Sequence, residues 1–276
     1  MIQTVVSVGL LLIAALSARG QTYDGRFQQL SEGLELGQFK VAQATPVGDS
    51  TVVVLRIDPR FWDLTMSCAS TSPSSRNMKA KEWAEEYGLV AVINAGMFNT
   101  DYRTHTGFMK VGGHLNNPQV NDYQSAAAFQ PVKPGLSTFR IFDLDEMPLD
   151  SIRANYSHVI QNLRLIKRPG MNRWSQQDKR WSEAALGEDA EGRVLFIFCR
   201  SPYSMHDLNK ILLLLPIDIV AAQHLEGGPE AQLYIKHRDT ELQWVGSYET
   251  DFFESDDNHR AWPIPNVIGV KAKNEH

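Results

Sequence analysis

Two cysteines in 276 residues, Cys68 and Cys199, are too few for a disulfide scaffold and show no thiolate spacing for a metal. Cys199 ends the apolar run Val194–Phe198 and Cys68 follows Leu64-Thr-Met66, so a single pair and two buried free thiols both remain open. His105, His114, His206 and His224 lack ligand spacing, and neither a metal nor another cofactor is expected. No internal repeat or low-complexity tract is present, which excludes solenoids and propellers. Positive charge is not in excess: 27 Lys and Arg stand against 32 Asp and Glu, a net charge of −5, so no nucleic-acid partner is expected. Beyond Gly20 no apolar run approaches the ~18 residues of a transmembrane helix, so stable membrane insertion is not expected.

What is present is an ordinary globular composition, 43% hydrophobic and 21% charged, enough for a sizeable core. Val5 to Leu16 is an apolar run too short to span a bilayer, and the small residues Ala15, Ser17, Ala18 and Gly20 follow it. That layout predicts a secretory signal peptide over residues 1–20, cleavage before Gln21, and a secreted or periplasmic protein. No Lys or Arg precedes the run, and an uncleaved anchor or a buried first helix is the alternative. Residues 21–276 show no composition break and read as one domain.

Strand patterns recur along that domain. Thr51 to Ile57, Phe61 to Met66, Leu89 to Ile93, Ala126 to Phe129, Thr138 to Phe142, Val159 to Ile166, Val194 to Phe198, Ile219 to Leu225 and Ala231 to Ile235 are apolar runs bounded by turn residues. Pro263 to Val270 reads as a last strand. Only two segments read as helices. Met78 to Tyr87 has Ala80, Trp83, Ala84 and Tyr87 on one face with Gly88 to end it, and a second begins at Ser204 and stops at Pro216. The pattern predicts an α+β single domain with a mixed β-sheet core and a few helices.

Two segments deliver polar groups from the end of a buried strand. Val92-Ile-Asn-Ala-Gly-Met-Phe98 presents Asn94 and the backbone around Gly96. Asn94 there either lines a site or ties its own turn. His224-Leu-Glu-Gly-Gly-Pro-Glu230 presents Glu226 and Glu230 across Gly227 and Gly228, which let a ligand approach the backbone. The two carboxylates either face one cleft as an acid/base pair or are solvated hairpin residues. Asp101 and Tyr102 follow the first segment in a loop and are candidate substrate contacts. The basic stretch from Arg164 to Arg180 reads as a solvated face.

Asn94-Ala-Gly-Met-Phe98 resembles the Asn-Gly/Ala-Gly-Phe-Phe motif of phosphodiester glycosidases, and Leu225-Glu-Gly-Gly-Pro-Glu230 resembles their Asp-Gly-Gly-Gly/Pro-Ser motif. Arg180-Trp-Ser-Glu-Ala-Ala-Leu-Gly187, Gly192 to Ile197 and Pro265 to Val270 are similar to further segments of that family, in order, over about Val52 to Val270. The family's type member removes N-acetylglucosamine from a phosphodiester on lysosomal glycans, and bacterial relatives are linked to cell-surface polysaccharides. The resemblance implies an exported hydrolase cleaving a sugar-1-phosphodiester bond on a surface or extracellular glycan, with a carbohydrate or sugar-phosphate substrate. It implies Glu226, Glu230 and Arg180 as catalytic candidates, and Asn94, Gly96, Gly227, Gly228, Asp101 and Tyr102 as substrate contacts. Glu226 stands where the family usually has Asp, and Glu230 where it has Ser, which moves the first carboxylate by about one bond length, ~1.5 Å. In this reading Glu226 activates water or attacks C1, Arg180 holds the phosphate and Glu230 is the partner carboxylate. A non-catalytic glycan-binding or assembly protein using the same cleft is the alternative function.

Overall fold

The computed structural model describes residues 25–273. The leader expected over residues 1–20 lies outside them. Three antiparallel sheets enclose one core. The largest has eight strands in the order Phe27–Ser31, Leu34–Lys40, Thr51–Ile57, Val194–Tyr203, Trp181–Asp189, Ile219–Gly227, Arg164–Lys167 and Met171–Asn172. A five-stranded sheet runs His114–Asn117, Met109–Val111, Tyr156–Asn162, Ser125–Pro131 and Phe139–Asp143. Another runs Thr240–Val245, Gln232–His237, Ala91–Asn94, Asn266–Ala272 and Trp62–Cys68.

The two central strands of the large sheet are apolar on both faces because both faces are covered. In Thr51–Ile57, Val53, Leu55 and Ile57 enter the core between the sheets, while Val52 and Val54 enter a second core on the outer face. Val194–Tyr203 divides in the same way, with Phe196 and Phe198 inward and Leu195 and Ile197 outward. The outer core is roofed by the helix Met205–Leu214, whose Met205, Leu208, Ile211 and Leu212 are buried against it. Its N-cap Ser204 accepts the Asp207 backbone N–H at 3.1 Å, as the sequence pattern predicts. The other expected helix spans Ala80–Tyr87, packs Trp83 under the third sheet and ends at Gly88 in the left-handed region, φ 62°.

The α+β expectation holds, with every neighbouring strand pair antiparallel. Two local readings change. Val159 to Ile166 is not one strand: Tyr156–Asn162 and Arg164–Lys167 belong to different sheets, and the chain passes between them at Leu163. An apolar run has the same pattern whether or not it changes sheets midway. The third helix, Leu149–Asn155, is too short for a clear period in sequence. The basic stretch is also less solvated than expected. Arg164 pairs with Asp143 and Asp145, Lys167 with Asp145 and Glu146, and Arg168 with Glu188.

Both cysteines are free and fully buried, Cys68 in the inner core and Cys199 in the outer one. Burial pushes the Cys199 thiol well above its ordinary range. A thiol-reactive chromophore should therefore titrate two thiols per chain in denaturant and none in the folded protein over the same minutes. No reactive thiol in non-reducing denaturant would show that the two are bonded after all.

Candidate functional site at a strand end

The strand Ile219–Gly227 lies between Trp181–Asp189 and Arg164–Lys167, and its last residues carry the site. Its register against Trp181–Asp189 is Ala185 with His224, Ala184 with Glu226 and Glu183 with Gly227, a shift of one residue at Leu225. Such a bulge re-aims the residues after it. The chain then turns through the short 3-10 segment Gly228–Glu230. Gly228 has φ +60°, and a Cβ there would come within 2.6 Å of the Glu249 carboxylate. A Cβ on Gly227 would come within 2.9 Å of the Trp181 ring. The space beside both glycines is thus filled by Glu249 and Trp181.

Asn94, the last residue of its strand, is 1% exposed and spans the gap to this turn. Its Nδ2 donates to the Glu230 carbonyl at 3.0 Å, and its Oδ1 accepts the Gln232 backbone N–H at 2.7 Å. The two motifs that are 136 residues apart in sequence are therefore joined by one side-chain amide.

The carboxylates converge electrostatically. Glu226 Oε1 accepts its neighbour Gly227 N–H at 3.1 Å, while Oε2 is out of solvent and has no partner. The residue as a whole keeps some accessible surface; its carboxylate end does not. Burial first, and then the negative charges of Glu230, Glu249 and Glu183, push Glu226 well above the ordinary carboxylate range. Burial, with a contribution from Glu249, raises Glu230 to about 7. Glu249 is raised by burial and is held back by the nearby His224 and Lys179. One group is thus pushed well toward its protonated form beside another that titrates at about 7, an arrangement that serves proton transfer.

A buried pair supports this cluster from below. Glu183 Oε1 lies 2.7 Å from His224 Nδ1, and Glu183 Oε2 accepts the Trp181 indole N–H at 2.6 Å. Glu183 and His224 are 1% and 3% exposed. With a carboxylate facing Nδ1, that nitrogen carries a proton and donates it to Glu183. Sequence reading placed Glu183 in a motif without singling it out, took His224 as structural or solvated, and gave Glu249 no role. The alternation of a strand put Glu183 beside His224, but only the register of the pairing could reveal it.

Comparison with known proteins fits this geometry. The family model for phosphodiester glycosidases matches residues 87–271. The chain belongs to the phosphodiester glycosidase family. Among solved structures it is similar to the zebrafish N-acetylglucosamine-1-phosphodiester alpha-N-acetylglucosaminidase catalytic domain auto-inhibited by its pro-peptide. That likeness has TM-score 0.62 and 15% identity, covering 89% of this chain and 86% of that one. It is also similar to a hypothetical protein from Synechocystis, with TM-score 0.57 and 15% identity over 90% of this chain and 64% of that one. A putative exported protein from Burkholderia pseudomallei gives TM-score 0.51 and 9% identity over 80% and 73% of the two chains. At these identities the likenesses show a shared fold. No curated protein matches the chain.

In this member of the family the remaining candidates are placed as follows. The Arg180 backbone N–H donates to the Thr250 hydroxyl and its carbonyl accepts the Thr250 backbone N–H, next to Glu249; Arg180 is exposed and in no ion pair among the described residues. Gly96 lies against His105 and Asn162, so closely that a Cβ would overlap both. His105 Nδ1 and Asn162 Oδ1 are buried and unpartnered, like Glu226 Oε2. Burial lowers His105 to about 4, so it is neutral at pH 7. Asp101 is exposed, and its carboxylate accepts the N–H groups of Arg103 and Thr104 and the Thr104 hydroxyl, which ties its own turn. Tyr102 is 62% exposed and packs on Phe98. Among the described residues no group of three or more His, Cys, Asp or Glu is placed to hold a metal ion.

The raised Glu230 gives a stability signature. Its ordinary value is 4.5 and its folded value about 7, so the folded chain binds more protons than the unfolded chain between these limits. This group's contribution therefore falls as pH rises from about 4.5 to 7. Glu230→Gln removes that penalty, so its Tm should exceed the wild-type value at pH 8 and match it near pH 4.5. Parallel Tm profiles for the two proteins would show that Glu230 titrates normally.

Proposed function

We propose that this chain hydrolyses a sugar-1-phosphodiester bond on a cell-surface or extracellular glycan, releasing a reducing sugar and a phosphomonoester. The observation that carries the reading is the buried Glu226–Glu230 pair, with one carboxyl pushed well above the ordinary range and the other raised to about 7. Family membership supports the reaction class. The electrostatics favour a division of labour opposite to the one expected from sequence. Glu226, pushed toward its protonated form, acts as the acid and gives its proton to the departing phosphate oxygen as the C1–O bond breaks. The ionised fraction of Glu230 takes a proton from the water that attacks C1. Each carboxyl ends the step in the other's starting charge state, and exchange with solvent restores both. A phosphodiester leaving group is already a weak base, so the cation near it matters as much as the acid. The unpaired Arg180 guanidinium suits two phosphate oxygens at once.

The test is hydrolysis of a sugar-1-phosphodiester, followed as released reducing sugar. Glu226→Gln and Glu230→Gln should each lower kcat by ~10²-fold or more while leaving the fold intact. The acidic limb of kcat/KM should lie near pH 7, set by Glu230. Glu249→Gln removes a negative neighbour and should move that limb to lower pH. A limb near 4.5 in wild type would remove Glu230 as the base. Full activity in both Gln variants would remove the pair from the mechanism, and no hydrolysis by the wild type would instead favour a glycan-binding protein.

We also propose that the protein is exported. The apolar segment Val5 to Leu16, followed by small residues, supports this. N-terminal sequencing of protein from outside the cytoplasm should begin near Gln21. Protein beginning at Met1 in the cytosol would overturn it.

A further inference from the structure

Beside the carboxylates lies a concavity of about 480 Å³, within the range of small-ligand sites. Neither Glu226 nor Glu230 lines it. Its floor includes Leu163, the residue at which the chain passes from one sheet to another, and its walls include Tyr123, Trp174, Arg173 and Gln177. The Leu163 carbonyl accepts the His224 backbone N–H at 2.9 Å. Glu226 follows two residues later on the same strand, about 7 Å at ordinary strand rise. The floor is therefore hydrogen-bonded to the strand that carries Glu226.

The walls are held rigidly. Gln161 is fully buried, and its Nε2 donates to the carbonyls of Asn121 and Tyr123, both at 2.9 Å, which pins the loop that carries the Tyr123 ring. The Trp174 indole N–H donates to the Arg164 carbonyl at 2.6 Å, and the Trp174 backbone N–H donates to Asn172 Oδ1 at 3.1 Å. Asn172 is fixed in turn by the buried Asn209 of the helix Met205–Leu214. Two half-buried aromatic rings on fixed backbones offer apolar faces at little entropic cost. Gln177 Nε2 is out of solvent and has no partner, so a donor waits there for an acceptor. Of the two arginines at the concavity, Arg164 is neutralised by Asp143 and Asp145. Arg173 is exposed and in no ion pair.

We infer that this concavity is a subsite for a second, non-reacting unit of an anionic glycan, with Tyr123 and Trp174 against the sugar and Arg173 on its acidic group. The inference rests on the proposed glycan substrate, to which it adds a negatively charged unit next to the scissile bond. A lone sugar-1-phosphodiester would leave the concavity empty, whereas a chain would fill it. Binding energy from such a remote unit lowers KM or raises kcat for chains only.

Calorimetry on the wild-type protein tests this without turnover, with tetragalacturonate as the acidic probe, maltotetraose as the neutral one and inorganic phosphate as the free anion. Tetragalacturonate should bind, maltotetraose should bind at least tenfold more weakly, and Arg173→Gln should weaken the acidic probe about tenfold by loss of a charge-assisted contact. Trp174→Ala should weaken both oligosaccharides. Because it also removes a packed ring, Arg173→Gln, at an exposed position, is the decisive variant. Absence of tetragalacturonate binding, unchanged binding in Arg173→Gln, or displacement by an equal concentration of phosphate would overturn the subsite. Hydrolysis of a short sugar-1-phosphodiester reports on the carboxylates alone: its failure with tetragalacturonate still bound defeats the proposed reaction and not the subsite.

Discussion

Asn94 satisfies two backbone groups of the Glu230 segment with one amide, accepting from Gln232 and donating to the Glu230 carbonyl in a place that water does not reach. The segment could not sit there without it. A turn that leaves a strand end loses its ladder partners, and each buried backbone group left unpaired costs about 1–3 kcal/mol. An amide carries its donor and its acceptor on separate atoms, so one short side chain reaches both groups. The strand Ala91–Asn94 fixes that amide, because it is itself paired on both sides, with Gln232–His237 and Asn266–Ala272. The position of the acidic turn is thus inherited from the third sheet, while its carboxylates arise from the first.

That arrangement lets the fold tolerate an otherwise unfavourable charge distribution. Glu183, Glu226, Glu230 and Glu249 are gathered with one histidine and one exposed lysine near enough to act on them. Four ionised carboxylates at such a place would repel one another in a region with little water to screen them. The molecule resolves the conflict unevenly. Glu183 is compensated by two N–H donors, from His224 and Trp181. Glu226 is pushed toward its protonated form, and Glu230 is left near the balance point. Carboxyls gathered and shifted in this way suit proton transfer, which supports the proposed reaction.

The sequence carried the parts of this that depend on local pattern. Buried strands such as Thr51–Ile57 and Val194–Tyr203 announce themselves as apolar runs, and Ser204 and Gly88 mark helix ends by chemistry that acts within a few residues. The pairing of Glu226 with Glu230 was visible because they are four residues apart. Glu249 was not, because it reaches Gly228 from a turn after the strand Thr240–Val245, and nothing in its own neighbourhood signals that. Glu183 and His224 were invisible as a pair for the same reason: strand register decides which residues meet, and register is a property of two strands. Asn162 escaped notice because the chain changes sheets immediately after it, inside what reads as one apolar run.

The longer carboxylate at position 226 can be understood from the same geometry. An Asp at this position would hold its oxygens about one bond nearer the backbone. Glu226 uses the additional methylene to curl, so that Oε1 returns to the N–H of Gly227 at 3.1 Å. That bond anchors one oxygen near the main chain and leaves Oε2 alone, out of solvent and unpartnered. The curl thus converts extra reach into a fixed orientation with a single unoccupied oxygen. In the proposed reaction the Glu226 proton sits on the unbonded oxygen, because the bonded one accepts an N–H and is the poorer site for a proton. The orphaned Oε2 is then a donor without an acceptor, as a general acid is before its substrate arrives.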